Sequence, residues 1–273
     1  AIIPLAGLGT RLLPLTSVIP KELLPINGKP GLEYILDECI NSGIKEIILI
    51  ISEKKKMIKK YFYNDKFYKK LINKKKNKNL KSQYLKIKKY KKMIKFVYQN
   101  TPLGTGDAVL KCKKYIDSDF FLLLMPDDLI IKKNCSKSLI KMHKKYNSSV
   151  IASKKIDKKS ISRWGIFKLK HIDKKNFLIK DVVEKPKIKD APSNFAVIGR
   201  YILPNKIFNV LKNQKAGING EIHITDAIRT LVRSKNKFIG HNFAGEYLDC
   251  GSMKGYINST IKISKVNVWK SVW

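Results

Sequence analysis

Residues 1–25, AIIPLAGLGTRLLPLTSVIPKELLP, begin with an apolar run and continue into a loop that contains two glycines, an arginine and a lysine. The run AIIPLA (1–6) predicts a buried strand, because almost all of its side chains are aliphatic. In open α/β sheets, ligands bind beyond the carboxyl ends of the strands. The loop that follows residue 6 therefore lies where a ligand would be expected.

The glycines of this loop, Gly7 and Gly9, suit either a tight turn or a ligand site. Glycine reaches positive φ and lets backbone N–H groups approach an anion closely. The dinucleotide fingerprint G-x-G-x-x-G is excluded because Leu12 stands at its third glycine, and no GK[ST] sequence of a P-loop follows. Taken alone, the two glycines leave the structural turn and the ligand site equally open.

Predicted strands and helices alternate through the first half of the chain. Continuous apolar runs such as KEIILIIS (45–52) are typical of parallel strands that are covered on both faces. Further strands are predicted at 94–99 and 119–126, and helices at 29–43, 54–63 and 105–116. Repeated βαβ units predict an α/β fold with a Rossmann-like, doubly wound and mostly parallel sheet.

The second half has a more mixed pattern. Strands are predicted in WGIFKLK, FLIKDVVEKP and FAVIGRYIL, followed by helices at 204–212, 224–234 and 252–265, so the complete sheet should be mixed. No linker rich in Gly, Ser or Pro separates the halves. We therefore expect a single domain over 1–273, with a nucleotide-binding-type half to about residue 130 and a mixed half from about 131. Residues 64–92, rich in lysine, are interpreted as a surface insertion.

The net charge of +36, from 57 basic and 21 acidic residues, suggests at first a nucleic-acid partner. The distribution argues against this interpretation. Lysine is scattered and accompanies abundant Ile and Asn, which is the composition expected from A/T-rich codons. Arginine, the better residue for bidentate contacts with phosphates and bases, is scarce. We therefore predict no nucleic-acid partner, and a basic nucleic-acid-binding protein is kept only as an alternative.

Two further features concern the compartment. No apolar stretch reaches the roughly 20 residues needed to span a bilayer, so no membrane partner is expected. The four cysteines are far apart and form no CxxC pair, which argues against a zinc site and suits reduced thiols. We expect a cytoplasmic protein.

The loop also carries a longer string: G-x-G-T-R, then P-x-T, then P-K and L-P. Its positions are Gly7, Gly9, Thr10, Arg11, Pro14, Thr16, Pro20, Lys21 and Pro25. This string resembles the signature of the sugar-1-phosphate nucleotidylyltransferases. The resemblance implies that the loop is a cradle for a triphosphate.

Four later segments resemble the uridylyl-transferring members of that family, in the same order. They are VVEKPK (182–187), APSNFAVIGRYIL (191–203), GEIHITDAI (220–228) and YLDCGSMKGY (247–256). The resemblance covers nearly the whole chain, and residues 64–92 match least. It implies a fold of the nucleotide-diphospho-sugar transferase type, with the sugar bound by residues 131–273.

The reaction that this resemblance implies is transfer of a uridylyl group from UTP to glucose 1-phosphate, with release of pyrophosphate. The alternatives are another sugar-1-phosphate nucleotidylyltransferase, such as a thymidylyl enzyme, and a weakly active regulatory paralogue. The paralogue is disfavoured because the charged residues of the motifs are intact. The resemblance also implies that the protein forms a homo-oligomer. The binding partners that it implies are the two small-molecule substrates, UTP and glucose 1-phosphate.

The same resemblance assigns the charged residues. Arg11 and Lys21 would be catalytic and would stabilise phosphate charge, a task that suits a planar guanidinium and a compact ammonium. Asp127, which follows the strand at 119–126, and Asp249 would hold Mg²⁺, which prefers oxygen ligands. Asp128 is interpreted as a supporting or turn-forming residue.

The remaining expected contacts divide between nucleotide and sugar. The nucleotide-binding residues would be Ala6, Gly7, Gly9, Thr10, Gln99, Gly104 and Asp127. The sugar-phosphate-binding residues would be Gly165, Glu184 and Lys185. Asp107 stands where relatives often have histidine, and its interpretation stays open between a nucleotide contact and a helix cap.

Overall fold

The computed structural model describes residues 1–75, 78–217 and 220–266. The strands are β1 Ile2–Pro4, β2 Pro25–Ile26, β3 Lys29–Pro30, β4 Ile47–Ile51, β5 Ile94–Tyr98, β6 Phe120–Leu124, β7 Asp128–Ile131, β8 Ser149–Lys155, β9 Gly165–His171, β10 Asn176–Glu184, β11 Phe195–Pro204, β12 Phe238–Asn242 and β13 Glu246–Asp249. The α-helices are α1 Gly31–Asn41, α2 Lys56–Tyr63, α3 Asp65–Lys75, α4 Lys78–Met93, α5 Thr105–Leu110, α6 Cys135–Tyr146, α7 Ile207–Asn213, α8 Ile224–Arg233 and α9 Met253–Lys265.

The main sheet of the described residues has nine strands in the order β5-β4-β1-β6-β11-β8-β12-β10-β9. Strands β5, β4, β1 and β6 are parallel to one another, whereas β11 runs antiparallel to both of its neighbours, β6 and β8. The sheet is therefore mixed, with a parallel part made from the first half of the chain. The predicted α/β fold with a doubly wound, mixed sheet is confirmed.

Alternation along the central strands places helices on both faces of the sheet. In β4, Ile47, Leu49 and Ile51 pack on one face with α1, α2 and α4, while Ile48 and Ile50 pack on the other with α5, α7 and α8. All five side chains are buried, as expected for a strand covered on both faces.

Strand β11 connects the two halves of the chain within this sheet. Its residues 200–204 pair with β6, and its residues 195–197 and 201–202 pair with β8. A smaller sheet makes a second connection, because β7 pairs with β13 and sets Asp128 opposite Asp249. The sheet thus runs through both halves, and their assignment to nucleotide and sugar stays a prediction.

The interpretation of residues 64–92 as a surface insertion is wrong for one face of this segment. Helices α3 and α4 occupy most of it, and Tyr84, Ile87 and Tyr90 of α4 are buried. The Tyr90 hydroxyl donates to Asp37 Oδ1 at 2.6 Å, which attaches α4 to α1. The lysine-rich composition obscured these widely spaced apolar residues. Residues 76–77 of this segment lie outside the described part.

Two other expectations differ from the structure. The helix predicted at 105–116 ends at Leu110 and is followed by a short 3₁₀ turn at Lys113–Tyr115. Helix α6 and strand β8 had no counterpart in the prediction, because lysines interrupt the apolar pattern of α6 and the apolar run of β8 is only three residues long (150–152). No helix in the described ranges combines the length and the apolar character that crossing a membrane would require.

The attachment of α4 to α1 gives a testable prediction. Tyr90→Phe should lower the free energy of unfolding by about 1–3 kcal/mol, because it removes a buried hydrogen bond to a carboxylate. The matched control is Lys89→Gln, an exposed position on the same helix, which should change stability by less than about 0.5 kcal/mol. Urea denaturation of both variants measures the difference. Equal stability of the two variants would contradict the proposed attachment.

Candidate active site

The carboxyl ends of four parallel strands meet along one edge of the sheet. The loop after β1 contains Gly7, and at that residue an added Cβ would meet no atom within 4 Å. Gly9 has φ 72°, and its carbonyl oxygen accepts a 2.8 Å hydrogen bond from the Thr16 hydroxyl. Ser52, at the end of β4, is buried, and its hydroxyl has no partner among the described residues. This edge is open and carries unused hydrogen-bonding capacity.

Lys21 and Asp127 form an ion pair at this edge. Lys21 Nζ lies 2.9 Å from Asp127 Oδ2, and Arg11 Nη2 lies 3.4 Å from the same oxygen. Burial raises the pKa of Asp127, but the charges of Lys21 and Arg11 outweigh burial and hold it below its ordinary value. Burial opposes the charge of Lys21, yet Asp127 raises the pKa of Lys21 above its ordinary value. Both partners are charged at neutral pH.

Asp249 faces the same point from β13. Its Oδ1 accepts a 2.8 Å hydrogen bond from the N–H of Gly251. A Cβ on Gly251 would lie 2.8 Å from both Arg11 Nη2 and Asp127 Oδ2, and 3.2 Å from Asp249 Oδ1. Gly251 thus leaves room where Arg11, Asp127 and Asp249 converge, and prediction from sequence did not single it out.

Arg163 is a second residue that the sequence analysis missed. Its Nη2 lies 3.3 Å from Asp249 Oδ2, and its side chain is 61% exposed. In a chain rich in basic residues, one arginine 86 positions from its partner gives no local signal. With Arg163, three cationic side chains surround two carboxylates. Arg11 and Arg163 are the exposed members of this group, with side chains 63% and 61% exposed.

Asp128 faces inward and supports this group. Its Oδ2 accepts from the N–H of Gly199 at 2.8 Å, and its Oδ1 accepts from the Tyr247 hydroxyl at 2.7 Å. Burial, and then the neighbouring charge of Asp127, raise the pKa of Asp128 to about 6. These contacts fix the Asp128 side chain, and the choice between a supporting and a turn-forming residue stays a prediction.

Gly165, Glu184 and Lys185 lie together at the end of the β9–β10 hairpin. Glu184 pairs with Gly165 across the strands, and a Cβ on Gly165 would lie 3.1 Å from Glu184 Oε2. Lys185 Nζ is 3.9 Å from Glu184 Oε1. The Trp164 ring packs edge-on against Tyr247 at 5.4 Å, which connects this group to Asp128.

Gln99 and Gly104 lie at the end of β5. The Gln99 amide nitrogen donates to the carbonyl oxygen of Gly104 at 3.1 Å and to Asp107 Oδ2 at 2.7 Å. β5 and β6 are separated by β4 and β1, which is three interstrand spacings, or about 14 Å. Gln99 and Asp127 therefore occupy two separated positions along one edge.

A buried ion pair holds the loop behind Lys21. The adjacent Glu22 accepts two hydrogen bonds of 2.9 Å from Lys55 Nζ, and both side chains are almost fully buried. Burial lowers the pKa of Lys55, and Glu22 offsets only part of this effect. The pair fixes the 3₁₀ turn at Lys21–Leu23 against the end of β4, and it was not predicted from sequence.

The family profile described as nucleotidyl transferase matches residues 1–266. The chain belongs to the nucleotidyl transferase family. A UTP–glucose-1-phosphate uridylyltransferase of Bacillus subtilis is 35% identical over 268 residues, which is 97% of this chain and 90% of that protein. The enzyme of that name from Mycoplasma pneumoniae is 34% identical over 264 residues, 96% of this chain and 90% of its own length.

Solved structures of nucleotidyl transferase relatives agree with these matches. A UDP-glucose pyrophosphorylase in complex with UDP-glucose has a TM-score of 0.86 and 34% identity, covering 97% of this chain and 98% of its own. A UTP-bound UGPase from Acinetobacter baumannii has a TM-score of 0.88 and 30% identity, covering 99% of this chain and 94% of its own. The resemblance inferred from sequence is confirmed, and so is the prediction that the chain is a nucleotidyltransferase.

The predicted site residues fall into three groups in this nucleotidyltransferase. Arg11, Asp127 and Asp249 converge at Gly251, and Lys21 pairs with Asp127. Ala6, Gly7, Gly9 and Thr10 belong to the segment that leads from β1 to Arg11. Gln99 with Gly104 forms the second group, and Gly165 with Glu184 and Lys185 the third. Within the described part of the chain, no hydrogen bond or ion pair connects the three groups. Their individual roles stay predictions.

The Glu22–Lys55 pair gives a prediction for stability. Lys55→Met should lower the free energy of unfolding by about 3–5 kcal/mol, because it leaves Glu22 buried without a partner. The double variant Glu22→Gln, Lys55→Met should recover part of this loss, since no unpaired charge remains. Lys54→Met, at the exposed neighbouring position, is the matched control. Chemical denaturation measures all three, and a Lys55→Met variant as stable as the control would refute the role of the pair.

Proposed function

We propose that this chain transfers the uridylyl group of UTP to glucose 1-phosphate, releasing UDP-glucose and pyrophosphate. The observation that carries the proposal is the convergence of Arg11, Asp127 and Asp249 at Gly251, with Lys21 paired to Asp127, on the carboxyl edge of the sheet. The names of the matched relatives support the choice of UTP and glucose 1-phosphate.

The reaction needs positioning and charge neutralisation more than a protein nucleophile. A phosphate oxygen of glucose 1-phosphate attacks the α-phosphorus of UTP. The bond from that phosphorus to the oxygen that bridges the α- and β-phosphates breaks, and pyrophosphate leaves. The attacking oxygen is already anionic, so no serine or cysteine has to be activated. Negative charge that accumulates around the α-phosphorus must be stabilised, as in other phosphoryl transfers.

Arg11 and Lys21 are suited to that stabilisation. Lys21 is mostly buried and is held 2.9 Å from Asp127, so its ammonium is fixed before substrate arrives. Arg11 is 63% exposed and offers a planar group that can grip two phosphate oxygens. In this proposal Lys21 contacts the reacting phosphate and Arg11 holds the neighbouring phosphates.

Mg²⁺ fits the donor set of Asp127 and Asp249. Both carboxylates face the space beside Gly251, and Mg²⁺ is commonly held by one or two carboxylates together with substrate phosphates. Asp127 and Asp249 would thus be the protein's own oxygen ligands to the ion. When bound, Mg²⁺ would supply further neutralisation of phosphate charge.

The other two groups would bind the rest of the substrates. Glu184 would accept hydrogen bonds from glucose hydroxyls, Lys185 would pair with the sugar phosphate, and Gly165 would leave room for the sugar. Gln99 and Gly104 would contact the base. The backbone of the loop at Ala6, Gly7, Gly9 and Thr10 would contact the triphosphate.

We also propose a cytoplasmic homo-oligomer whose substrates are small molecules. Four buried free cysteines in the described residues support a reducing compartment. The exposed side chains of Ile257 and Ile261 on α9 support contact with a second copy.

A pyrophosphate-release assay with a panel of nucleotides tests the proposed function. UTP, dTTP, CTP, ATP and GTP are each offered with glucose 1-phosphate and Mg²⁺, and then UTP is offered with galactose 1-phosphate. We expect the highest kcat/KM for UTP with glucose 1-phosphate. A higher kcat/KM for dTTP would replace the uridylyl assignment with the thymidylyl one, and no turnover of any pair would overturn the proposal.

The role of Lys21 gives a prediction for catalysis. Lys21→Ala should lower kcat by about 10² or more, because its charge is required where negative charge accumulates. The exposed Lys54→Ala variant is the matched control and should retain the parent rate. Near-normal kcat in a folded Lys21→Ala variant would contradict the role.

The metal assignment gives a separate prediction. Asp127→Asn and Asp249→Asn should each shift the Mg²⁺ titration of activity to higher concentration, since an amide lacks the charge that binds a hard cation. Asp117→Asn, an exposed residue before β6 at the opposite edge of the sheet, should leave the titration unchanged. Parent-like Mg²⁺ titrations of both site variants would exclude the assignment.

A further inference from the structure

Gln99 is held firmly at the carboxyl end of β5. Its backbone N–H donates to the carbonyl oxygen of Ile51 at 2.9 Å, and the residue is only 4% exposed. The side chain therefore has little freedom, and the direction of its amide group is set by its immediate neighbours.

Both hydrogens of the Gln99 amide nitrogen are engaged by acceptors. One bond reaches Asp107 Oδ2 at 2.7 Å and the other reaches the Gly104 carbonyl oxygen at 3.1 Å. A primary amide has two donor hydrogens on nitrogen and an acceptor oxygen. An ionised carboxylate can only accept, so Asp107 permits only the amide nitrogen of Gln99 to face it. The assignment of nitrogen and oxygen in Gln99 is decided by these two partners.

The side-chain oxygen of Gln99, Oε1, therefore remains available to accept a hydrogen bond from a ligand. Within the described part of the chain, no donor forms a hydrogen bond with Gln99 Oε1. We propose that Asp107 is a positioning residue that turns Gln99 so that the site offers an acceptor, which selects uracil over cytosine. This inference rests on the proposed function. Uracil presents an N3–H donor on its base-pairing edge, whereas cytosine presents a bare nitrogen acceptor at the same ring position.

Lys111 holds the other oxygen of Asp107. Its Nζ lies 3.3 Å from Asp107 Oδ1, one helical turn along from the carboxylate. The Lys111 side chain is partly exposed, so this pair should contribute only modestly. It directs Oδ1 away from Gln99 and leaves Oδ2 for the amide. Substitution of Lys111 therefore provides a control that removes a charge but keeps the acceptor.

Asp107 also lies in the first turn of α5, where the negative charge of an acidic side chain interacts favourably with the helix dipole and stabilises the helix. That purely structural role predicts a loss of stability and an equal effect on every nucleotide. The proposed positioning role predicts a change in the preference between two nucleotides. The ratio of affinities for UTP and CTP therefore separates the two roles.

The experiment compares the parent with Asp107→Ala, Asp107→Asn and Lys111→Met. Dissociation constants for UTP and CTP are measured by calorimetry, kcat/KM is measured for both nucleotides with glucose 1-phosphate, and thermal unfolding is recorded. Asp107→Ala should reduce the UTP-to-CTP preference about tenfold or more, because only the longer, 3.1 Å bond to the Gly104 carbonyl oxygen then opposes rotation of the Gln99 amide. Asp107→Asn retains a carbonyl acceptor, and Lys111→Met retains the carboxylate. Both should keep the preference within about threefold of the parent.

Two outcomes would overturn the inference. An unchanged preference in a folded Asp107→Ala variant, or an equal loss for both nucleotides together with a lower melting temperature, would make Asp107 a structural residue while the proposed function stands. If the parent neither binds nor turns over any pyrimidine triphosphate, the proposed function fails and the inference fails with it.

Discussion

The fully buried ion pair between Arg200 and Glu38 is the constraint on which the site depends. Arg200 of β11 bonds both Glu38 oxygens at 2.9–3.1 Å and donates to the carbonyl oxygens of Met125 at 3.1 Å and Asp128 at 2.7 Å. Glu38 of α1 also accepts from Ser136 at the start of α6. Burial disfavours the charge of Glu38, but Arg200 outweighs it and keeps the pKa of Glu38 below its ordinary value. One guanidinium thus joins two helices, β11 and the turn after β6.

This arrangement explains how the turn between β6 and β7 presents Asp127. The backbone carbonyl oxygens of Met125 and Asp128, before and after Asp127, accept hydrogen bonds from Arg200. The carbonyl oxygen of Asp127 itself accepts from the N–H of Cys250 at 2.8 Å. The side chain of Asp128 is held by Gly199 and Tyr247. With so many neighbouring groups fixed, the carboxylate of Asp127 reaches the edge of the sheet with little freedom. The fixed carboxylate of Asp127 in turn holds the Lys21 ammonium at 2.9 Å and the Arg11 guanidinium at 3.4 Å.

The electrostatics of the site differ from those of the surface. The chain has a net charge of +36, and most of its lysines are exposed, so at physiological salt their field falls off within about 8 Å. At the candidate site, by contrast, Arg11, Lys21 and Arg163 are paired with Asp127 and Asp249 at 2.9–3.4 Å. The charges of the candidate site are therefore set by short-range pairing between named side chains, and the net charge of the chain is carried mainly by exposed lysines.

Much of the fold and part of the candidate site could be predicted from the sequence. The alternating apolar runs determined the α/β class, because a parallel strand covered on both faces must be apolar along its whole length. The loop of residues 7–25 and the short segments around Asp127 and Asp249 pointed to the charged residues that the structure brings together at Gly251. These signals are local, since each lies within a few consecutive residues.

The tertiary structure alone decided which distant residues support them. Lys21 and Asp127 are 106 positions apart, and the Arg200–Glu38 pair spans 162 positions, so neither separation leaves a pattern in the sequence. The ion pair between Arg163 and Asp249 likewise leaves no pattern in the sequence. The tyrosines of α4 are recognisable as buried only when the packing of α4 against α1 is known. Even Asp107, eight positions from Gln99, stayed ambiguous in the sequence between a cap and a nucleotide contact. A hydrogen bond depends on distance and direction in space, which the chain order alone does not contain.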